Sequence, residues 1–131
     1  YASASHDRGE TWSTPLETNF PDATARSFAG NLPDGTAFIV SNPSTTPSTY
    51  PTIGRRIPLT LSLSADGITF DRAYVVRGEP TRMRFQGKSK LDGWQYPSAV
   101  AWRDWLYIAY SINKEDVGVT RIRLAGIIHG T

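Results

Sequence analysis

The chain has 131 residues, with 14 Lys and Arg against 12 Asp and Glu, and it has no cysteine. The net charge is +2 and the charges of both signs are interleaved, so no basic arm is indicated and nucleic acid is not an expected partner. The lack of Cys excludes a disulfide framework and a thiolate metal site, and the two His are far apart, so neither a metal nor another cofactor is predicted. No apolar run approaches the roughly 20 residues of a membrane span, and the first residues do not form a signal-peptide pattern.

Residues 5–12 read S-H-D-R-G-E-T-W and fit the pattern S-x-D-x-G-x-T-W at every defined position. The Asp carboxylate can accept hydrogen bonds from the N–H groups of its own turn, and the Gly supplies the positive φ of a tight return. The Thr and Trp are expected to begin an outgoing strand. We therefore predict strands over residues 1–5 and 11–13, followed by a connection over residues 14–24.

The middle of the chain predicts a four-stranded antiparallel unit over residues 25–77. The sequence P-D-G at residues 33–35 is typical of a tight turn, and the segment 57–64 (I-P-L-T-L-S-L-S) alternates as a strand does. Residues 42–54 are rich in Pro, Ser and Thr and are predicted to be a loop. The predicted strands span residues 26–32, 36–41, 57–64 and 69–77.

A second, imperfect copy of the turn motif occurs at residues 64–70, which read S-A-D-G-I-T-F. The two copies start 59 residues apart, and self-similarity at a fixed spacing indicates a repeat architecture. Both Asp residues are predicted to cap their turns rather than to act as catalytic acids. The defined positions of the two copies are Ser5, Asp7, Gly9, Thr11 and Trp12, and Ser64, Asp66, Gly67, Thr69 and Phe70.

The last part of the chain predicts a three-stranded unit over residues 94–128. It follows a long loop over residues 78–93 that contains Gly, Pro, Lys and Arg. A short turn at Arg103 and a charged hairpin loop at residues 113–116 separate its strands. The predicted strands span residues 95–102, 106–112 and 117–128.

The turn motif resembles the Asp box, or BNR repeat, of sialidase-type β-propellers, in which the box marks the fold rather than the active site. This resemblance implies an all-β chain with two to three antiparallel four-stranded blades of a propeller, six-bladed when complete. At roughly 40–50 residues per blade, six blades need about 240–300 residues. We therefore expect a C-terminal piece of a longer protein, in which residues 1–24 end one blade, 25–77 form the next and 94–128 form the last. Its missing N-terminal blades are then expected to be partners, and one of their strands is expected to complete the last blade.

Blade topology sorts the loops by face. Turns from the first to the second strand and from the third to the fourth lie on one face of a blade, and this places both motifs together. The opposite face is expected to receive the long loops, which are where sites are usually built on a rigid scaffold. These loops span residues 14–24, 42–56, 78–95 and 113–116.

The resemblance extends to a candidate carboxylate-binding arginine. The sequence S-N-P-S, followed by R-R-I-P-L-T-L-S-L-S-A-D-G, is similar to a sialidase pattern in which an S-N-P loop precedes an Arg, a strand and the box. Arg56 lies eight residues before Ser64, where that family has the third Arg of its substrate-carboxylate triad. Only the planar fork of Arg binds a carboxylate bidentately. Arg55 could take its place, and Asn42 is a further predicted substrate contact; the alternative is a surface Arg in water.

Residues 93–100 (G-W-Q-Y-P-S-A-V) resemble the segment that carries the Tyr nucleophile of sialidases, which corresponds to Tyr96. A sialic acid carries a carboxylate on its anomeric carbon and would repel a carboxylate nucleophile, whereas a phenol is neutral. The sequence departs from the family in having Pro97 where Ser usually follows the Tyr. Trp94 is predicted to stack on a sugar and Glu115 to contact the ligand. The alternatives are that Tyr96 and Trp94 are packing residues and that Glu115 is at a solvated hairpin tip.

The resemblance implies part of a glycoside hydrolase that cleaves a terminal anionic sugar, such as sialic acid, from a glycan. The acid/base Asp, the Glu that partners the Tyr and the other Arg residues are expected outside this chain, so the fragment alone is expected to be inactive. An extracellular or periplasmic location is expected by the same resemblance. The alternatives are a non-catalytic propeller that binds glycan or protein, and a related glycosidase or lyase, because one fold hosts many functions.

Overall fold

A computed structural model describes residues 1–43 and 56–128 of the chain. Within these two ranges there are seven β-strands and one four-residue helix. The strands form two separate antiparallel sheets, one of four strands and one of three. The prediction of an all-β chain with antiparallel strands is therefore confirmed. Most of the predicted loop from 42 to 54 lies outside the described residues.

The first sheet is a simple meander in which each strand pairs with the next along the chain. The turn before β2 is held by Asp34, whose carboxylate accepts hydrogen bonds from the backbone N–H (3.0 Å) and the hydroxyl (2.9 Å) of Thr36. Gly35 provides the positive φ of this turn, at +91°. The strands are β1 (Phe28–Asn31), β2 (Ala37–Ser41), β3 (Leu59–Ser64) and β4 (Arg72–Arg77), each inside its predicted range.

The second sheet is a three-stranded meander of β5 (Trp94–Trp102), β6 (Trp105–Ile112) and β7 (Asp116–Arg123). A two-residue turn joins β5 to β6, and within it Arg103 has a φ of +53°. Within the described part of the chain, β7 pairs with β6 alone. The last three predicted strands are therefore present in the predicted order.

The strands predicted on either side of the first motif are not formed. The pairing there is limited to an isolated bridge between Ala2 and Leu16 and a hydrogen bond from the Ser13 N–H to the Ala4 carbonyl (2.8 Å). The Ala4 N–H is taken by the Ser13 hydroxyl instead of a backbone carbonyl, and Pro15 has no N–H to donate. A regular ladder cannot continue past such an interruption.

The end of the last predicted strand is also wrong, because the chain leaves the sheet after Arg123. The N–H of Leu124 donates to the Asp104 carbonyl (2.9 Å), and the short helix α1 (Ala125–Ile128) follows. Leu124 and Ile127, three residues apart, are both buried. One helical turn places both apolar side chains on the core side, which an extended strand with a period of two cannot do.

The main core lies between the two sheets. Alternate residues of each strand point to this interface, as the period of a β-strand requires. The interface includes Phe38, Val40, Leu59, Leu61 and Leu63 from the first sheet and Trp94, Leu106, Ile108 and Tyr110 from the second. The opposite face of the second sheet is solvent-exposed and carries Val100, Trp102, Val117 and Val119.

The two sheets join through backbone contacts at one end, which we call the loop end. Here the Trp94 N–H donates to the Arg56 carbonyl (3.0 Å), and the Ala23 N–H donates to the Asn42 carbonyl (3.0 Å). The Gly93 N–H donates to the Asn113 side chain (2.8 Å), so the β6–β7 turn belongs to the same end. Segments that are distant along the chain therefore meet beside the first residues of β5.

Candidate functional site

The second motif forms the turn between β3 and β4. Oδ1 of Asp66 accepts hydrogen bonds from the backbone N–H groups of Ile68 (2.8 Å) and Thr69 (2.7 Å) and from the Ser64 hydroxyl (2.9 Å). These bonds, led by that from the Thr69 N–H, lower the pKa of Asp66 from 3.8 to about 2. Gly67 has the positive φ that the motif requires, at +74°. The carboxylate of Asp66 thus holds its own turn.

The first motif uses the same chemistry in a more exposed setting. The Asp7 carboxylate accepts hydrogen bonds from the hydroxyl and the backbone N–H of Thr11 and from the Ser5 hydroxyl. The Thr11 hydroxyl makes the largest contribution to lowering the pKa of Asp7 from 3.8 to about 2. Trp12 is 63% exposed and donates its indole N–H to the Gly9 carbonyl (3.1 Å). That both motifs lie on one face remains a prediction, since the first motif is not joined to a described strand.

Arg56 is buried at the loop end, with 8% of the residue exposed. Its NH2 group makes a long hydrogen bond to the Thr24 carbonyl (3.4 Å), while Nε and NH1 are buried with no hydrogen-bond partner among the described residues. No carboxylate within the described ranges lies within ion-pair distance of it. A buried cation is costly unless it is paired, so this guanidinium is suited to an anionic partner.

Gly93 allows the backbone of Arg56 to approach. The two residues form an isolated parallel bridge, and Gly93 has a φ of +130°. A Cβ atom at Gly93 would lie 2.5 Å from the Arg56 Cβ and 2.6 Å from the Arg56 carbonyl oxygen. Only glycine fits this contact, which fixes Arg56 beside the start of β5.

Tyr96 lies on a β-bulge two residues into β5. The register shifts between Gln95 and Ser98, and Tyr96 has a φ of +51°. Pro97 has no N–H for the ladder, and a bulge is where a sheet accommodates such a residue. A bulky residue in the left-handed region is a rare and costly conformation that is typically found at functional sites. The bulge leaves Tyr96 42% exposed while its neighbour Gln95 is fully buried.

Two cations lie close to the Tyr96 ring. The Arg56 guanidinium carbon lies 5.8 Å from the ring centroid, and Lys114 Nζ lies 5.4 Å from it. Both distances are within the range of cation–π attraction. An exposed aromatic ring with two positive charges close to it is a surface on which an anionic ligand with apolar ring faces can bind.

A family comparison bears on this arrangement. The model of the BNR repeat-like domain matches residues 1–108, which include both motifs, Arg56 and Tyr96. The chain belongs to the BNR repeat-like domain family. Searches of curated proteins and of solved structures found no significant match.

Trp94 lies in the interior of this BNR repeat-like domain rather than at its surface. Trp94 is 4% exposed, the Arg77 guanidinium carbon lies 4.1 Å from its ring centroid, and Tyr110 packs edge-on against it at 5.6 Å. Its indole N–H donates to the Glu79 carbonyl (3.1 Å). The predicted stacking of a sugar on Trp94 does not fit this burial. Trp94 instead supports the first residues of β5 from behind.

Asn42 is also buried, and its side chain joins the two sheets. Its Nδ2 donates to the carbonyl groups of Pro58 (3.0 Å) and Trp94 (3.0 Å), while Oδ1 has no partner among the described residues. With 1% of the residue exposed, Asn42 positions β3 and β5 from within. A direct contact of Asn42 with a substrate, as predicted, does not fit this burial, and Arg55 lies outside the described residues.

Glu115 is not a solvated hairpin tip, because its side chain is only 3% exposed. Its carboxylate accepts hydrogen bonds from Lys90 Nζ (2.7 Å) and from the backbone N–H groups of Phe85 (2.8 Å) and Arg84 (3.0 Å). The Lys90 ammonium, ahead of these two N–H groups, lowers the pKa of Glu115 from 4.5 to about 2. Glu115 therefore anchors the loop over residues 78–93, and its predicted contact with a ligand does not fit this burial.

Lys114 was not predicted from the sequence as a site residue, although it is adjacent to Glu115. The sequence feature that could have indicated Lys114 is the turn itself: Asn113 and Lys114 are the two central residues of a tight turn, where Gly is preferred at the second position.

The described ranges contain no cluster of three or more His, Cys, Asp or Glu side chains suited to a metal ion. They also contain no helix that is both long and apolar enough to cross a membrane.

Proposed function

We propose that this chain supplies the last blades of a β-propeller glycoside hydrolase of sialidase type, acting on a terminal anionic sugar such as sialic acid. The four-stranded sheet would be one complete blade, and the three-stranded sheet would be a blade that another part of the protein completes. Both are meanders, and a meander is the form of a propeller blade. Membership of the BNR repeat-like family supports this architecture. The remaining blades, the acid/base Asp, the Glu that partners the Tyr and the other Arg residues would lie outside this chain.

The observation that carries the proposal is the juxtaposition of Arg56 and Tyr96. The guanidinium is buried without a described anionic partner, and it faces the ring of an exposed tyrosine at 5.8 Å. A sugar carboxylate would supply the missing charge, and the guanidinium can receive it as a bidentate pair. The sugar would then lie against Tyr96.

Tyr96 would act as the nucleophile. Its phenolic oxygen would form a bond to the anomeric carbon as the bond from that carbon to the leaving oxygen breaks, while its proton passes to a base. The leaving oxygen would take a proton from the acid, and water would then release the sugar from the tyrosine. Sialidases are the known exception to the two-carboxylate mechanism in using a Tyr nucleophile.

The test is the turnover of an aryl sialoside by the full-length protein and its Tyr96→Phe variant. Removal of the nucleophilic oxygen is expected to lower kcat by at least about a hundredfold. Stability should change by less than about 1 kcal/mol, since the ring is kept and one exposed hydroxyl contributes little. The measurements are release of the aryl group and thermal unfolding.

Arg56→Lys serves as the companion variant. It keeps the positive charge but loses the fork, so binding of the acid sugar is expected to weaken by roughly tenfold or more, from the 1.5–3 kcal/mol of a hydrogen bond to a charged group. Full activity in Tyr96→Phe would refute the proposed mechanism, and unchanged affinity in Arg56→Lys would refute the proposed carboxylate clamp.

A non-catalytic binding module is the second candidate. It is favoured by the two cations close to the Tyr96 ring, because this arrangement can bind an anionic sugar without any nucleophile. Such a module would bind the acid sugar, and the parent protein would not turn over the aryl sialoside.

A further inference from the structure

We propose that Lys114 is a ligand-binding residue, which acts with Arg56 to hold an anionic sugar across the ring of Tyr96. This inference rests on the proposed function for the class of ligand. It adds a second cation, from the β6–β7 turn, that the sequence motifs did not indicate. Four observations carry it: the backbone of Lys114, its neighbours, its position and its free donors.

The backbone of Lys114 is in a conformation that a lysine adopts at a cost. The Glu115 N–H donates to the Ile112 carbonyl (2.9 Å), which closes a four-residue turn. Its central residues, Asn113 and Lys114, have φ values of +56° and +58°. This is the type I′ pattern, in which Asn is favoured first and Gly second. A lysine at the glycine position is therefore not explained by the turn.

The residues on both sides of Lys114 fix the turn in place. The Asn113 side-chain oxygen accepts hydrogen bonds from the Gly93 N–H (2.8 Å) and from the Thr81 hydroxyl (2.6 Å). The Glu115 carboxylate is held by Lys90 and by two backbone N–H groups of the loop over residues 78–93. These two anchors give Lys114 a defined position at little further entropic cost.

Lys114 lies close to a tyrosine whose backbone is also strained. Its Nζ lies 5.4 Å from the Tyr96 centroid, and Tyr96 also has a positive φ, of +51°. Lys114 in the β6–β7 turn and Tyr96 near the start of β5 thus both have left-handed backbone conformations, and together they place a cation beside an exposed ring. Conformations of this kind persist at ligand sites.

The ammonium group of Lys114 has N–H donors that no described residue accepts. One goes to the Ser89 carbonyl (2.6 Å), and no residue in the described ranges accepts either of the other two. Arg56 approaches the same ring at 5.8 Å and is also unpaired by any described carboxylate. A ligand that lies on the Tyr96 ring therefore meets two cations, one fixed and buried, the other exposed. Its carboxylate would pair with Arg56, and a second oxygen would accept from Lys114.

The test compares binding of N-acetylneuraminic acid and its neutral methyl ester to the full-length protein and to Lys114→Gly. Removal of the ammonium, which takes away one hydrogen bond to a charged group, is expected to weaken binding of the acid by about five- to twentyfold. Because Gly suits the φ of +58°, Tm should stay unchanged or rise by a few degrees. Lys114→Arg should retain most of the affinity. Calorimetry or ligand-observed NMR gives the affinities, and thermal unfolding gives Tm.

Arg103→Gly is the matched control. Arg103 also has a positive φ, of +53°, and also places a cation over an aromatic ring, 4.3 Å from the centroid of Trp102. It lies in the β5–β6 turn, at the opposite end of the second sheet. Arg103→Gly should therefore show the same change in Tm with no change in affinity for the acid.

The outcomes separate this inference from the proposed function. Weaker binding in Lys114→Gly alone, with Arg103→Gly unchanged, supports the role of Lys114, even in a protein that does not turn over the aryl sialoside. Equal affinity in Lys114→Gly and the parent, alongside a loss in Arg56→Lys, would overturn the role of Lys114 and leave the proposed function standing. If both Lys114→Gly and Lys114→Arg have a lower Tm than the parent, Lys114 has a structural role and the proposed ligand-binding role is overturned. Equal affinity of the parent protein for N-acetylneuraminic acid and its methyl ester would overturn both the role of Lys114 and the proposed function.

Discussion

At the scale of single residues, the two turn motifs show that the same set of hydrogen bonds can contribute differently to the stability of the fold. Asp66 and Asp7 accept similar sets of hydrogen bonds, and in both the pKa falls from 3.8 to about 2. Asp66, however, holds the turn between two strands of the packed first sheet, whereas the segments around Asp7 are joined by an isolated bridge and by hydrogen bonds between Ala4 and Ser13. The energetic consequence of losing each carboxylate should therefore differ.

We expect Asp66→Ala to lower Tm by several degrees and Asp7→Ala to leave it nearly unchanged. The first substitution frees the N–H groups of Ile68 and Thr69 in a turn that sets the register of β3 and β4. The second acts on a turn that no described strand depends on. Circular dichroism during heating measures both changes. Equal shifts in Tm would contradict the distinction between the two motifs.

The residue types of the site are predictable from the sequence, but their surroundings are not. The spacing before the second motif points to Arg56, and the segment G-W-Q-Y-P-S points to Tyr96. The burial of Trp94 and Glu115 depends on Arg77 and Lys90, which approach them from other segments. Contacts of this kind leave no mark in local periodicity. The sequence therefore predicts both side chains as ligand contacts, with packing as the alternative for Trp94 and a solvated tip as the alternative for Glu115.

At the scale of structural elements, the loop over residues 78–93 is organised by the β6–β7 turn rather than by its own sequence. The side chains of Asn113 and Glu115 accept hydrogen bonds from five residues of this loop, which are Thr81, Arg84, Phe85, Lys90 and Gly93. A stretch that contains Gly, Pro and several cations is thereby given a fixed path beside Tyr96. The order of this loop should depend on the charge of one carboxylate.

We expect Glu115→Gln to release the loop and to remove part of the acid sensitivity of the fold. The pKa of Glu115 is below its ordinary 4.5, at about 2, so the charged form stabilises the folded state. This contribution is complete above about pH 4.5 and is lost as the pH falls towards 2. The difference in Tm between the parent and the variant should therefore shrink over this interval. Trypsin should also cleave the variant faster within residues 82–90 at neutral pH.

Asp116→Asn is the control for this prediction. Asp116 is next in the chain and pairs with Arg84 at 2.7 Å, but its side chain is 54% exposed. Exposed pairs of this type contribute little to stability, so neither trypsin cleavage nor the pH dependence of Tm should change much. The same loss of protection in both variants would mean that charge alone, and not the buried anchor, orders the loop.

The strands themselves were largely predictable, and the exceptions have local causes. Alternation of apolar and polar residues in segments such as L-T-L-S-L-S fixes β3 within its predicted range. The last predicted strand extends to residue 128, whereas β7 ends at Arg123. The apolar residues Leu124 and Ile127 are compatible by type with either a strand or a helical turn, and their packing on the core favours the helical turn. The strands predicted around the first motif fail where the Ser13 hydroxyl takes the place of a backbone acceptor.

At the scale of the whole molecule, the two sheets depend on one shared core. Leu61, Leu63, Leu106 and Ile108 are fully buried between them. The joining contacts at the loop end add a backbone hydrogen bond from the Trp94 N–H to the Arg56 carbonyl and a side-chain hydrogen bond from Asn42 Nδ2 to the Trp94 carbonyl. A change in the centre of this interface should therefore affect both sheets together.

We expect Leu61→Ala to lower the free energy of unfolding by about 2–5 kcal/mol, the usual cost of a cavity in a packed core. Val75→Ala, on a strand of the same sheet but 66% exposed, should change it by no more than about 0.5 kcal/mol. Urea unfolding should remain a single transition in both variants. Separate transitions for the two sheets would show that each is stable alone.

Trp94 gives the molecule a built-in optical probe. Of the four tryptophans, Trp12 and Trp102 are exposed and Trp105 is half-buried, whereas Trp94 is buried and packs against the Arg77 guanidinium. Its backbone is hydrogen-bonded to Arg56, and it precedes Tyr96 by two residues. The short-wavelength part of the intrinsic fluorescence therefore originates at the seam between the sheets, directly behind the candidate site. Its emission is sensitive both to separation of the sheets and to a ligand that shifts the guanidinium of Arg56.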